Sequence, residues 1–404
     1  MVNVDAIELF DADAIQNPYP LYERMRAAAP VHRIGDSGFY AACTWAAVHE
    51  AVARTEDFSS NLVATMRYTR EGDVVPFQMA PLGAPTHVLA TADDPAHAAH
   101  RKQIVPQLAA KRIHSIERFA RDTADDIWAT NLVAGRIEWM SAVANKLPMM
   151  VVARLIGVPS DDVGRLERWG SAGTQLLEGL LSEDELNAAG ITALEMMAYL
   201  DENLTLAAAD PQDNLLGDLA TACASDELDR LTAQVIMGTL FSAGGESTSS
   251  LLGSAAHVLA AHSAAQEQLR ASPELLGAFI EEALRYEPPF RGHYRHVMHD
   301  TTLQGVDIPA GSNLLLLWGS ANRDPLQYED PDTFRLDRPR NKNHMTFGKG
   351  AHLCVGAALA RLEAQIVFDM LLKRTSWIEI DAVGNWLPSL LVRRLERLEL
   401  DVAC

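Results

Sequence analysis

The chain has 404 residues, 48% of them apolar, and 34 Lys+Arg against 54 Asp+Glu give a formal net charge of −20. A surface this acidic repels nucleic acid and anionic membranes, which excludes both as general partners. The four cysteines Cys43, Cys223, Cys354 and Cys404 form no C-x-x-C pair and are too sparse for a disulfide framework, so a reducing compartment is expected.

The N-terminus, Met1-Val-Asn-Val, lacks the basic flank and apolar stretch of a signal peptide. No run of about eighteen apolar residues suggests a membrane span. The expectation is a cytoplasmic, monomeric protein. With no repeat, low-complexity tract or long linker, 1–404 reads as one domain. From about Asn17 to near Arg285 the pattern is overwhelmingly helical, with a short extended stretch near Gly38–Cys43. Asn17-Pro-Tyr-Pro20 opens one helix, because proline suits a first turn. Segments at roughly 115–132, 140–156, 161–181 and 184–208 show amphipathic three-to-four spacing. Leu231 to Ala261 is apolar on nearly every face, as a buried central helix is. At about 1.5 Å per residue it would be roughly 45 Å long. Its one odd stretch is Ala243-Gly-Gly-Glu-Ser-Thr248. Past Tyr286, Tyr294–Met298, Thr302–Val306 and Asn313–Trp318 look like short strands. An irregular stretch from Asp324 to Asn343 follows, then a helix from near Val355 and strand-like alternation at Leu395, Leu398 and Leu400. The fold class is mostly α with minor β.

Phe347-Gly-Lys-Gly-Ala-His-Leu-Cys354-Val-Gly356 is the most informative segment. Glycines on both sides let the backbone fold tightly round the sulfur and approach a flat ligand closely. Strong helix formers follow, so Cys354 precedes a helix N-terminus, where free N–H groups favour a thiolate. The pattern F-x-x-G-x-x-x-C-x-G resembles the haem-binding signature of the cytochrome P450 family. The resemblance implies a helix-rich triangular prism with a long central helix and small sheets, holding haem b. It makes Cys354 the axial thiolate, with Phe347, Gly348 and Gly356 around it and His352 at a propionate. A thiolate ligand pushes electron density onto iron and favours O–O cleavage.

Three further segments occur in the family's order. Glu282-Ala-Leu-Arg285 resembles its E-x-x-R, a structural ion pair with Arg338 as third partner. Pro95-Ala-His97-Ala-Ala-His-Arg101 resembles a helix start whose His97 and Arg101 contact a haem propionate, as the resemblance also implies for Arg295. Ala243-Gly244-Gly245-Glu246-Ser247-Thr248 looks like A-G-x-D/E-T-T. Two glycines inside a helix cost about 1 kcal/mol each relative to alanine, easier to explain where a ligand needs space. Glu246 takes the place of the acid that feeds protons toward oxygen. Ser247 stands where threonine is usual, and Thr248 would substitute only if the helix bulged locally.

No G-x-G-x-x-G follows a strand to mark a reductase segment, and the resemblance implies electrons from NAD(P)H through a ferredoxin reductase and ferredoxin. Lys102, Arg340, Lys342, Lys349 and Arg361 form the expected docking patch. Their alternative role is simple solvation. The implied reaction inserts one atom of O2 into a lipophilic small molecule, with azoles as inhibitors. Arg291 or His293 would pair with a substrate's polar group or else hydrogen-bond structurally. Rival readings are a peroxide-using haem peroxygenase and a haem-based ligand binder with little turnover.

Overall fold

Alanine-, leucine- and glutamate-rich stretches give the molecule its helices, and short polar side chains set where several begin. Ser182 and Glu185 form a reciprocal capping box at the start of Glu183–Ala209. Asn214 and Asp229 each accept the third backbone N–H of the helix that follows. The computed structural model describes residues 4–79, 85–159, 163–339 and 341–403. The four expected helical segments appear as Ala110–Asn131, Lys146–Ile156, Val163–Gln175 and Glu183–Ala209. The central helix runs from Arg230 to Ala261, but in three parts: α-helical Arg230–Leu240, a π-helical Phe241–Glu246, and α-helical Ser247–Ala261. The apolar pattern expresses itself as burial: Ile236, Met237, Phe241, Leu252 and Leu259 are all fully enclosed.

The N-terminal region holds more β-structure than its composition suggests. The strands are β1 (Val31–Ile34), β2 (Phe39–Ala42), β3 (Phe58–Ser59), β4 (Ala64–Tyr68), β5 (Val74–Gln78) and β6 (Arg136–Glu138), then β7 (His293–Val297), β8 (Thr301–Leu303), β9 (Val306–Ile308), β10 (Asn313–Leu316), β11 (Trp377–Val383) and β12 (Leu398–Ala403). The reading of 17–285 as nearly all helix is thereby corrected. β4 and β5 pair as a hairpin whose turn contains Gly72 at φ +90°, and it buries Met66 and Val74 in the core. Strands of two to five residues are too short for a period-2 signal to stand out among helices. Thr302–Val306 is not one strand either: Gln304 and Gly305, both at positive φ, turn the chain between β8 and β9.

The largest sheet has the order β1-β2-β10-β7-β3, with β2 and β10 parallel and the other pairs antiparallel. It joins strands from both ends of the chain. A second sheet, β11-β12-β6, does the same. The main core packs the central helix against Leu276–Tyr286 and Ala357–Arg374 through Leu252, Phe279, Phe368 and Trp139. The cysteine loop is therefore anchored on one side of the central helix, and Val163–Gln175 lies against its π-helical segment.

Candidate functional site

The cysteine loop is shaped by its glycines. Gly348 and Gly350 have φ of +66° and +68°, which other L-residues rarely adopt. The loop closes through Cys354 N–H to Phe347 O at 2.9 Å and Gly348 N–H to Met345 O at 2.7 Å. Cys354 is enclosed by the bulk of the protein, yet its surface is exposed. Those two facts agree only if the residue lies on the wall of an interior space. Leu353 beside it is likewise 48% exposed. Burial pushes the thiol pKa up, while N–H groups of Gly356 and Ala357 and the charges of Arg361 and Arg101 pull it down.

The central helix shows the same signature. Ala243 is exposed although Phe241, Gly245, Glu246 and Thr248 around it are buried, and Leu240, Gly244 and Ser247 are partly exposed. Residues 240, 243, 244 and 247 share one helical face, so this face also borders open interior space. The helix does bulge, but Ser247 stays with Ala243: its hydroxyl donates to Ala243 O at 2.5 Å. Thr248 is 4% exposed and turned into the core. Glu246 is buried and ion-paired with Arg394, Nη1 to Oε1 2.9 Å. The Ser171 hydroxyl also donates to Glu246, and burial is the larger effect, raising its pKa.

Cations gather on the third side. The His97 and His352 rings meet with centroids 4.1 Å apart at a tilt of 36°, and Arg295 is buried. Arg295 donates to Tyr294 O at 2.7 Å and meets His293 Nδ1 at 3.3 Å. Burial drives its pKa down to about 10. His352 Nε2 meets Ser60 Oγ at 3.0 Å, while its Nδ1 is buried with no partner among the described residues. Burial and the charge of Arg295 bring His352 down to about 4. Arg101 donates to Leu353 O at 3.0 Å, tying its helix to the cysteine loop. Asp94 meets His97 Nδ1 at 3.3 Å, and Asp93, the carboxylate that acts on Arg295 and His352, is already spent on Ser59 and Ser60.

Behind the loop, Glu281 and Glu282 are each matched by basic side chains. Glu282 pairs with Arg285 at 2.7 Å and with Arg338 at 2.9 Å, all three buried. Arg285 also donates to Asn322 O, and Asn322 in turn holds Met345 N–H and Thr346 Oγ1 at the start of the cysteine loop. Arg361 stacks 4.3 Å over Phe347 and pairs with Glu281, which also meets His344 at 3.1 Å. These features bring the E-x-x-R helix, the irregular stretch and the cysteine loop into one braced unit.

A family model described as Cytochrome P450 matches residues 210–390. Cytochrome P450 144 of Mycobacterium tuberculosis is 65% identical over 398 residues, covering 98% of this chain and 92% of that protein. The chain belongs to the cytochrome P450 family. The cytochrome P450 monooxygenase PikC of Streptomyces venezuelae is 30% identical, across 96% of this chain and 92% of its own. The crystal structure of CYP109E1 from Bacillus megaterium in complex with testosterone has a TM-score of 0.85 and 26% identity, covering 96% of this chain and 98% of that one.

The family implies haem, and the residues fit it. An exposed sulfur faces inward, Ala243 and Gly244 leave a flat apolar wall, and among the described residues Arg295 is buried outside any ion pair and His352 keeps a buried Nδ1 without a partner. Porphyrin supplies an iron for the thiolate and two carboxylates for the cations. Of the sequence candidates, Cys354, Ala243, Gly244 and Ser247 border interior space, and His97, His352 and Arg295 converge with Arg101 at the edge of their group. Thr248 is turned away. Arg291 does not offer itself to a ligand, because it donates to the carbonyls of Ala14 and Ile15. His293 is enclosed by the protein yet partly exposed, so it too borders interior space; it is stacked on Trp318, and burial holds it near pKa 4. Arg340 lies outside the described residues. Arg394, Ser60 and Glu178 were not legible as site residues: Arg394 meets Glu246 across 148 positions, and no local spacing announces that.

Proposed function

We propose that this cytochrome P450 monooxygenase inserts one atom of O2 into a lipophilic small molecule, with Cys354 as proximal ligand and electrons delivered by an iron–sulfur ferredoxin. The observation that carries the reading is the inward-facing Cys354 sulfur and the exposed Ala243 face of the central helix, with Arg295 buried outside any ion pair and His352 Nδ1 buried without a partner among the described residues. When bound, haem supplies the redox centre at which O2 is reduced. The chain's part is to hold it and to govern protons. His97, Arg101, Arg295 and His352 would take its carboxylates. Gly356 and Ala357 N–H groups soften the charge on the sulfur. Ala243 and Gly244 keep the facing wall low, and Glu246 stores a proton next to the Ser247 hydroxyl.

An acidic ferredoxin fits the face behind the loop, where Lys102 and Lys342 are exposed. A recess of about 390 Å³ opens there between Gly277, Ala278, Lys342, Arg361 and Gln365. Charge complementarity would speed encounter more than it tightens binding. Arg361 contributes less than its charge suggests, being paired with Glu281.

The test is the reduced, carbon-monoxide difference spectrum of the haem-loaded protein beside that of Cys354→Ala. A thiolate-type band in the wild type, lost in the variant, is expected. The same Soret spectrum in both would overturn the assignment of the ligand.

A further inference from the structure

A line of acids runs along the boundary between Val163–Gln175 and the π-helical segment. Glu167, Ser171, Thr174 and Glu178 lie four, three and four residues apart, the spacing of a single helix face, which the turn after Gln175 continues. The neighbouring face of this helix, through Gly170 and Gly173, is pressed on Phe241–Glu246. Gly170 sits over Phe241 O, and a Cβ on Gly173 would collide with Ser242 Oγ. At this contact the Ser171 hydroxyl and Arg394 both hold Glu246.

Glu178 is 7% exposed. Its backbone O accepts from Leu390 N at 3.2 Å, but its carboxyl has no hydrogen-bond partner among the described residues. Its charged neighbours are Glu246 on the central helix and Arg394 on the C-terminal segment. Arg67, on the nearby β4, is turned to Glu183 instead. Glu167 is half-buried, with exposed Lys146 and Arg394 as its cations. Two buried carboxyls therefore share one partly exposed guanidinium. Such a set holds one proton more than a matched pair, because both acids cannot ionise against a single cation at low cost.

We propose that Glu178 is a proton-holding group that reloads Glu246, with Ser171 and Glu167 marking the way in from solvent. This rests on the monooxygenase reading. The overall step, substrate R–H + O2 + 2 electrons + 2 H⁺ giving R–OH + H2O, takes its electrons from the ferredoxin and consumes two protons. Glu178 gives its proton to Glu246 as Glu246 leaves Arg394. The Glu178 carboxylate then takes Arg394 as counter-ion until solvent reprotonates it past Glu167. Burial and the negative charge of Glu246 push Glu178 up to about 7, and Arg394 pulls it down, so the group is poised between both states near neutrality. Acting through Glu246, it is a positioning residue for the proton and does not touch the reacting atoms.

The experiment is an infrared pH titration of the haem-loaded protein, following the C=O stretch of protonated carboxyl groups. A band titrating near neutrality is expected, lost in Glu178→Gln, retained with a shifted midpoint in Glu178→Asp, and moved to higher pH in Arg394→Gln. In parallel, NADPH oxidation is followed with a plant-type ferredoxin and its reductase, without added substrate. The wild-type rate should fall several-fold as pH rises through that midpoint, and the Glu178→Gln rate should be low and flat. An unchanged band and pH profile in Glu178→Gln would overturn the proposal, since the titrating acid would then lie elsewhere. Glu363→Gln identifies that case. The carbon-monoxide spectrum separates the two readings: a normal spectrum with no titrating band defeats this inference alone, whereas an abnormal wild-type spectrum defeats the haem-thiolate reading beneath it.

Discussion

Two buried ionic clusters flank the interior space of this cytochrome P450, and they are built on opposite rules. Behind the cysteine loop, Glu282 has two arginines and Glu281 has an arginine and a histidine. The His344 and Arg361 contacts overcome burial and hold Glu281 down at about 2. Across the central helix, Glu178 and Glu246 divide one arginine, and burial holds both acids above the usual carboxylate range. The first cluster matches each of its acids with more than one basic side chain and acts as a clamp. The second has two states close in free energy, which a clamp does not need and a proton route does. Sequence motif and function separate accordingly: E-x-x-R belongs to the fixed cluster, and the acid of the glycine-softened helix belongs to the poised one.

The largest effect should come from breaking the fixed cluster. Glu282→Ala leaves Arg285 and Arg338 buried without a carboxylate, a loss of about 3–5 kcal/mol for a buried pair stripped of one partner. Because Arg285 reaches the cysteine loop through Asn322, the variant should lose haem as well as stability. Urea unfolding and the Soret yield after purification measure both. A fully loaded Glu282→Ala protein of normal stability would show the clamp to be dispensable.

One acid on the clamp's side breaks its rule. Glu363, on Ala357–Arg374, is 1% exposed, its Oε2 has no partner, and burial alone raises it to about 8. A folded pKa above the unfolded value means that the folded state holds the proton more tightly. Stability tied to Glu363 is therefore complete below about pH 4.3 and declines as pH rises to about 8. Glu281 works in the opposite sense: its depressed pKa stabilises above about pH 4.3 and that contribution disappears as pH falls toward 2. Glu363→Gln should gain on the order of 1–3 kcal/mol at pH 8 and little at pH 5. Unfolding curves at the two pH values decide it, and an equal gain at both would mean that Glu363 is not the neutral acid.

The π-helical segment is the mechanical basis of the poised side. Gly173→Ala drives a methyl group into Ser242 Oγ and should cost about 1–2 kcal/mol as overpacking against the helix. If the bulge sets where Glu246 points, the same variant should shift the infrared carboxyl band. A destabilised protein with an unmoved band would uncouple the bulge from the acids.

Much of this was legible because motif chemistry is local. The cysteine loop, E-x-x-R and the central helix each lie within a few residues of sequence, and glycine positions carry their backbone demands openly. Arg338 was readable as the third partner only through the family resemblance. The poised cluster was hidden for a physical reason: Glu178, Glu246 and Arg394 come from three distant segments, and a carboxyl's state depends on what surrounds it in space. The β4–β5 hairpin was missed on similar grounds, since five-residue strands gain their stability from docking on the core rather than from their own pattern.

The smallest structural change with a functional readout is at Ser247. The serine hydroxyl is back-bonded to Ala243 O, a contact that competes with any role toward oxygen. Threonine has the same option, but its β-methyl restricts χ1 and leaves fewer rotamers for the hydroxyl to wander among. Ser247→Thr should change stability by less than about 0.5 kcal/mol, as expected where no buried contact is lost. Its effect should appear in the fate of oxygen: about twofold less peroxide released per NADPH in ferredoxin-supported turnover, with Ser247→Ala moving the other way. Ser247 is adjacent to Glu246 and shares the exposed face with Ala243, so a hydroxyl held there hands on a proton only as well as its rotamer is fixed. Equal peroxide yields from serine, threonine and alanine would place proton control wholly in the Glu178–Glu246–Arg394 cluster and remove the hydroxyl from it.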